Sequence, residues 1–182
     1  MGMAVSVPRY TVDDLEQFPD DGARYELLDG LLLVTPSPSA AHQNVAGQLH
    51  GLLFSALQHS GRARVVSPGA ISVPPKNQLQ PDVLVYPSRV GPSVDWRHVD
   101  EHWLAVEVLS RSSRIYDREF KRDAYFVLGV PQVWLVDTHA KSVEVWRSRS
   151  EHELVRDTIR WLVPTLDLIV SIDLATVFAG LD

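Results

Sequence analysis

The sequence predicts a single α/β domain over residues 1–182, with its longest helix placed ahead of most of a β-sheet. Three patterns predict it. An Asp29-Gly30 pair joins two short apolar runs, the signature of an N-terminal β-hairpin. Apolar residues then recur at helical spacing from about Ser39 to His59. Beyond Gly61, short apolar runs are punctuated by Pro74, Pro75, Pro81 and Pro87, as in a series of strands.

Composition narrows the class. At 182 residues, 45% hydrophobic and 22% charged, the chain can bury a core without covalent staples. It has no cysteine, which excludes disulfides and thiolate metal sites and suits a reducing compartment. No basic stretch leads into an apolar one at the N-terminus, and no apolar run approaches the ~18 residues of a membrane span. A cytoplasmic protein with no membrane partner is expected. The net charge of -6 argues against a general nucleic-acid coat but leaves room for an enzyme with a local basic site.

The elements follow in order. Thr11-x-x-Asp14 reads as a capping box opening a short helix to Phe18. Tyr25-Glu-Leu-Leu and Leu31-Leu-Leu-Val form the hairpin arms. In the long helix Val45, Leu49, Leu52, Leu53, Ala56 and Leu57 make the inner face, Ser37-Pro38-Ser39 the start and Gly61 the stop. Strands are expected at Ala63–Ser67, Ala70–Val73, Asp82–Tyr86 and Trp103–Leu109. Asp117–Leu128 reads as a second helix with Phe120, Ala124, Val127 and Leu128 on one face, ended by Gly129 and Pro131. Val133–Val136 and Ser142–Trp146 are strands joined by a polar turn, and Trp161–Phe178 holds a strand or two and a short final helix.

Glu107 does not fit its run. In Trp103–Ser110 it has valine on both sides, and both faces of the strand are apolar, as in a central strand covered on both sides. An unpaired ion there would cost several kcal/mol. Glu107 therefore has a cationic partner, is protonated, or binds a metal. Asp82 opens another apolar strand directly after Pro81. It is either a turn residue or a second carboxylate able to share a hard cation such as Mg²⁺, which needs only one or two carboxylates. Lys121 lies at the edge of the apolar face of the second helix. It can pair with Asp117 one turn earlier, or reach a polar pocket and hold a phosphate oxygen or orient a water.

These residues resemble a known family. The order Pro81-Asp82, Glu107 and a lysine resembles the PD-(D/E)XK nuclease superfamily. The wider set resembles its Uma-two-type branch of restriction-endonuclease-like proteins: Tyr25-Glu-Leu-Leu-Asp-Gly30, Ser39-Ala-Ala-His42-Gln43, Gln80-Pro-Asp-Val-Leu-Val85, Ala105-Val-Glu-Val-Leu-Ser110, Asp117-x3-Lys121-x3-Tyr125 and Gly129-Val-Pro-x2-Trp134-Leu-Val-Asp137. The resemblance implies a restriction-endonuclease-like fold, a mixed β-sheet flanked by helices. It implies Asp82 and Glu107 as ligands of Mg²⁺ (or Mn²⁺), and DNA cleavage leaving a 5′-phosphate. The superfamily's usual lysine lies two residues after the glutamate, where this chain has Leu109; the branch's lysine maps onto Lys121. Glu26 lies in a region from which the superfamily often takes a further acidic ligand; otherwise it is a solvent-facing hairpin residue.

Around this core stand supporting residues. His42 can bind phosphate or hold a carboxylate, though a satisfied inner-face histidine is the plainer reading; Gln43 is a weaker candidate. Ser110 and Tyr125 can brace Glu107 and Lys121, with half-buried packing the simpler reading of Tyr125. His98-x3-His102 has metal-ligand spacing but no third ligand and reads as a surface feature. Trp134 reads as core. Arg111, Arg114, Arg118, Lys121 and Arg122 face only Asp117 and Glu119 across Arg111–Arg122, a formal +3 (five less two). Such a rim suits a phosphodiester, with Arg111 and Arg114 as DNA contacts and Arg118 and Arg122 as solvated helix surface.

The expected function is a Mg²⁺-dependent DNA endonuclease, with a homodimer compatible with cutting both strands. The alternative is a nuclease fold kept as a binding or oligomerisation module with little catalysis. A metal-free hydrolase with paired carboxylates is disfavoured by the missing aromatic sugar platforms.

Overall fold

The computed structural model describes residues 7–58, 61–109 and 116–181, with the backbone alone at 58 and 116–118. Ser110, Arg111 and Arg114 lie outside the described residues, as does the side chain of Arg118. Three sheets are formed among the rest.

The N-terminal hairpin joins β1 (Arg24–Leu28) to β2 (Leu31–Thr35). Asp29 and Gly30 have φ of 48° and 76°, the paired left-handed conformation of a type I′ turn, which glycine adopts without a Cβ penalty. β4 (Ile71–Val73) and β5 (Asn77–Leu79) complete a sheet of order β2-β1-β5-β4. The strand β5 carries no apolar alternation, so periodicity misses it; its neighbours on both sides supply its pairing. Ahead of the hairpin, Val12–Gln17 winds as a 3₁₀ turn, capped by Thr11, whose N–H and Oγ1 both donate to Asp14 Oδ2.

The main sheet has order β10-β9-β8-β7-β6-β3, built from β3 (Ala63–Val66), β6 (Val83–Pro87), β7 (Leu104–Leu109), β8 (Val133–Asp137), β9 (Ser142–Trp146) and β10 (His152–Val155). The β7–β8 pair is parallel and the others antiparallel, so the sheet is mixed. A separate hairpin, β11 (Thr158–Val163) with β12 (Leu168–Asp173), leads into the short helix α3 (Leu174–Val177).

Both faces of the main sheet are covered, and every residue of β7 is buried. One face carries Val83, Val85, Leu104, Val106 and Val108 against the helix α1 (Ala40–Leu53), the β11–β12 hairpin and α3. The other carries Leu84, Ala105, Leu109 and Leu135 against β4, β5 and the helix α2 (Arg122–Val127). Glu107 shares the parity of Ala105 and Leu109 and faces the α2 side. Trp103 precedes the strand and packs in the α1-side core, so the expected alternation starts one residue later.

Two helical expectations need correction. Beyond Leu53 the long helix widens into a π-helical turn, Phe54–Gln58. The extra residue per turn shifts the phase, keeping Leu57 buried and turning Ala56 outward. In the second helix, Tyr116–Lys121 is likewise π-helical, and the inward face is not the apolar one. Phe120 and Val127 are 53% and 67% exposed, while Lys121, Ala124 and Tyr125 are buried. The buried partners of Lys121 and Tyr125, described below, decide this orientation. No helix among the described residues is long and apolar enough to cross a membrane.

One packing contact bears on the approach to Asp82. Gly69 donates its N–H to Pro81 O at 3.2 Å, and a Cβ on Gly69 would lie 2.5 Å from Leu84 Cβ. Gly69→Ala is expected to lose about 1–3 kcal/mol through this overpacking. Urea unfolding checks it; an unchanged midpoint would show that the loop moves aside freely.

Candidate active site

Two strands set the centre of the site. The β6–β7 register pairs Val83 with Val106, Leu84 with Ala105 and Val85 with Leu104. Asp82 stands one residue ahead of β6, and the Val108 N–H of β7 donates to its Oδ2 at 2.8 Å, which holds it beside the strand that carries Glu107. Two further elements converge there. β1 delivers Glu26 and Arg24 from one side, and α2 and the turn before it deliver Lys121 and Tyr125 from the other. Glu26, Asp82, Glu107 and Lys121 are 1%, 3%, 2% and 4% exposed.

Lys121 Nζ lies 2.6 Å from Glu107 Oε1 and 3.0 Å from Glu26 Oε1. Glu26 Oε1 also accepts the backbone N–H of Gln80 at 2.7 Å, which ties β1 to the segment entering Asp82. The Tyr125 hydroxyl donates to Glu107 Oε1 by a short hydrogen bond. Tyr125 is fully buried and holds Glu107, rather than being half-buried packing. Glu26 faces the cluster, not solvent.

Asp82 has its own set of partners. Its Oδ2 accepts the Val108 N–H at 2.8 Å and lies 3.1 Å from His42 Nε2. Its Oδ1 accepts from Arg24 Nη1 at 2.9 Å. Burial pushes the Asp82 pKa up, but the His42 hydrogen bond and charge, the Arg24 guanidinium and the Val108 amide outweigh it. The carboxyl is held below its ordinary 3.8. His42 reaches this point from the first turn of α1, where Ser39 caps its backbone N–H. Gln43, the next residue, is exposed and joins none of these hydrogen bonds.

Residues 12–175 match the Uma2 family, described as "Putative restriction endonuclease". The chain belongs to the Uma2 family. Its fold matches a crystal structure described as a "putative nuclease belonging to DUF820" from Anabaena variabilis ATCC 29413. That likeness has a TM-score of 0.71 at 17% identity, over 92% of this chain and 97% of that one, and shows a shared fold. No curated protein matches at a significant level.

In this Uma2-family chain the donor set suits a hard dication. It offers carboxylate oxygens, and no thiolate exists in the chain. Among the described residues, three carboxylates, Glu26, Asp82 and Glu107, gather around the cations Arg24 and Lys121. No group of three His, Asp or Glu side chains among the described residues is arranged to hold one metal. Mg²⁺ needs no such cage, because one or two carboxylates with water suffice. Asp82, at the entrance of β6, and Glu107, within β7, are the pair that would hold it.

Sequence reasoning did not single out Arg24, although a signal was present. Arg24 and Glu26 are two apart on one strand and so share a face. The basic rim also changes. Lys121 is buried in the cluster, and Arg122 is not solvated surface: its guanidinium lies 4.0 Å over the Trp146 ring and 2.7 Å from Asp123. Trp134 is fully buried core.

His102 is not a surface feature. It is 5% exposed, and its Nε2 finds no hydrogen-bond partner. Burial lowers its pKa from 6.5 to about 4, against the opposing charges of Asp100 and Glu101. The unfolded chain therefore binds a proton that the folded one refuses between those values. Stability attached to His102 is complete above pH 6.5 and falls as the pH drops toward 4, by about 3 kcal/mol. His102→Gln is expected to flatten that part of the stability profile in urea titrations. Parallel profiles for the two proteins would contradict it.

Proposed function

We propose that the protein is a Mg²⁺-dependent endonuclease that hydrolyses DNA phosphodiester bonds at Asp82, Glu107 and Lys121. The observation that carries this reading is the burial together of Asp82, at the entrance of β6, and Glu107, within the neighbouring β7, with a lysine ammonium 2.6 Å from Glu107. Membership of a family described as "Putative restriction endonuclease", and a fold shared with a protein described as a "putative nuclease", support it.

A bound dication would polarise the scissile phosphate and lower the pKa of a water. The chain's own residues do the rest. The Val108 amide and His42 fix Asp82 Oδ2, and Arg24 holds Oδ1. Tyr125 and Lys121 fix Glu107. As an ammonium, Lys121 supplies a charged donor that can orient the attacking water or meet negative charge as it grows on the phosphate. Glu26 holds Lys121 from the far side and can serve as a further acidic ligand.

A second reading is favoured by one observation, that the lysine already has two carboxylate partners. A nuclease fold whose lysine is so engaged could serve as a binding or oligomerisation module. Purified protein on supercoiled plasmid separates the two. Nicking or linearisation with Mg²⁺ or Mn²⁺, stopped by chelator and absent in Glu107→Gln, is expected. Equal cleavage by Glu107→Gln and wild type would refute the assignment, and no cleavage with any divalent cation would favour the module.

A further inference from the structure

Asp82 presents two oxygens with unlike surroundings. Oδ2 is held by two donors from buried elements: the Val108 amide in a central strand, and His42 Nε2 on the buried side of α1. Oδ1 is held by Arg24 Nη1 at 2.9 Å. Arg24 differs from Lys121, the cluster's other lysine or arginine among the described residues. Its side chain is 20% exposed, against 5% for Lys121, so it sits at the rim with a path to solvent. Its other hydrogen bond is to a backbone carbonyl, Gln80 O at 3.0 Å, which anchors the guanidinium without neutralising it.

A dication binding Asp82 must use Oδ1, because Oδ2 is already filled. Arg24 occupies that oxygen. Two positive groups cannot both sit on it without a large mutual repulsion in a buried site. We infer that Arg24 is a displaceable counter-ion. It holds Asp82 Oδ1 in the metal-free site, and it swings to the substrate phosphate once a dication takes that oxygen. The inference rests on the metal-dependent reading above.

The chemistry supports the exchange. A guanidinium released from a carboxylate carries several planar N–H donors, the geometry that binds phosphate oxygens in a two-pronged contact. Arg24 would thus compete with metal and cooperate with substrate, so metal affinity should be weak in the free protein and tighter with DNA bound.

The competition has a signature that a merely structural ion pair lacks. Calorimetric titration of Mn²⁺ into wild type and Arg24→Gln, each checked for folding by circular dichroism, is expected to show tighter binding in the variant, by about tenfold. DNA affinity at saturating Mn²⁺ should fall in the same variant. Arg24→Lys, which keeps the charge, should bind Mn²⁺ within about twofold of wild type. Mn²⁺ binding by wild type with no tightening in Arg24→Gln overturns the exchange and leaves the metal reading intact. Absence of Mn²⁺ binding in both overturns the two together. If Arg24→Gln does not fold, the guanidinium NMR signals of wild-type Arg24 decide: they should shift on Mg²⁺ saturation, and unmoved signals overturn the exchange.

Discussion

Lys121→Met is expected to lose about 3–5 kcal/mol of folding stability at pH 7 and to abolish DNA cleavage. The ammonium lies between Glu107 and Glu26, at 2.6 and 3.0 Å. These carboxylates are 2% and 1% exposed, so neither recovers solvation by turning outward. Removing one partner of a buried pair leaves the other charge uncompensated, and that penalty, more than the lost attraction, sets the size of the effect. Combining Lys121→Met with Glu107→Gln should therefore regain part of the loss, because a neutral amide replaces a stranded ion. Activity should stay absent in both. Urea unfolding reads stability and plasmid nicking reads activity. A single variant as stable as wild type would show that the ammonium does not compensate these carboxylates.

Asp82→Asn should keep the fold while lowering cleavage by about 10²–10³-fold. The amide is the size of the carboxylate, and its carbonyl oxygen can accept the Val108 N–H in place of Oδ2. Its NH₂ then faces Arg24 Nη1, donor against donor, so the site loses both a ligand charge and the guanidinium's partner. A pH effect accompanies this. The folded-state pKa of Asp82 lies below its ordinary 3.8, so the unfolded chain takes up the proton first as acid is added. The stability from Asp82 is complete above pH 3.8 and is lost as the pH falls through the lower folded value. The gap in stability between wild type and Asp82→Asn should accordingly narrow below pH 3.8. A constant gap down to strong acid would mean that Asp82 carries no such linkage.

Much of this architecture was legible in the sequence because local chemistry specified it. The Asp29-Gly30 turn, the Ser39 cap and the unbroken apolar run around Glu107 each have one economical solution. The odd carboxylate in that run found a cationic partner and a hydroxyl donor, as a buried acid must. What the sequence hid was set by long-range pairing. β5 exists because β1 and β4 flank it, not because Asn77-Gln78-Leu79 favours a strand. The second helix turned its polar Lys121 and Tyr125 inward and left Phe120 and Val127 exposed, since pairing a buried glutamate outweighed burying those two side chains. The π-helical turns ending α1 and preceding α2 shifted phases that a constant helical period cannot follow. Arg24 escaped notice because its partner Asp82 lies 58 residues away.

The central claim is that Asp82 and Glu107 hold one dication in the buried cluster that also contains Lys121. Anomalous diffraction from a crystal soaked in Mn²⁺ tests it most directly. A single peak within about 2.2 Å of Asp82 Oδ1 and of a Glu107 carboxylate oxygen is expected. A crystal of active protein with no peak between these two side chains, or with manganese held elsewhere, would contradict it.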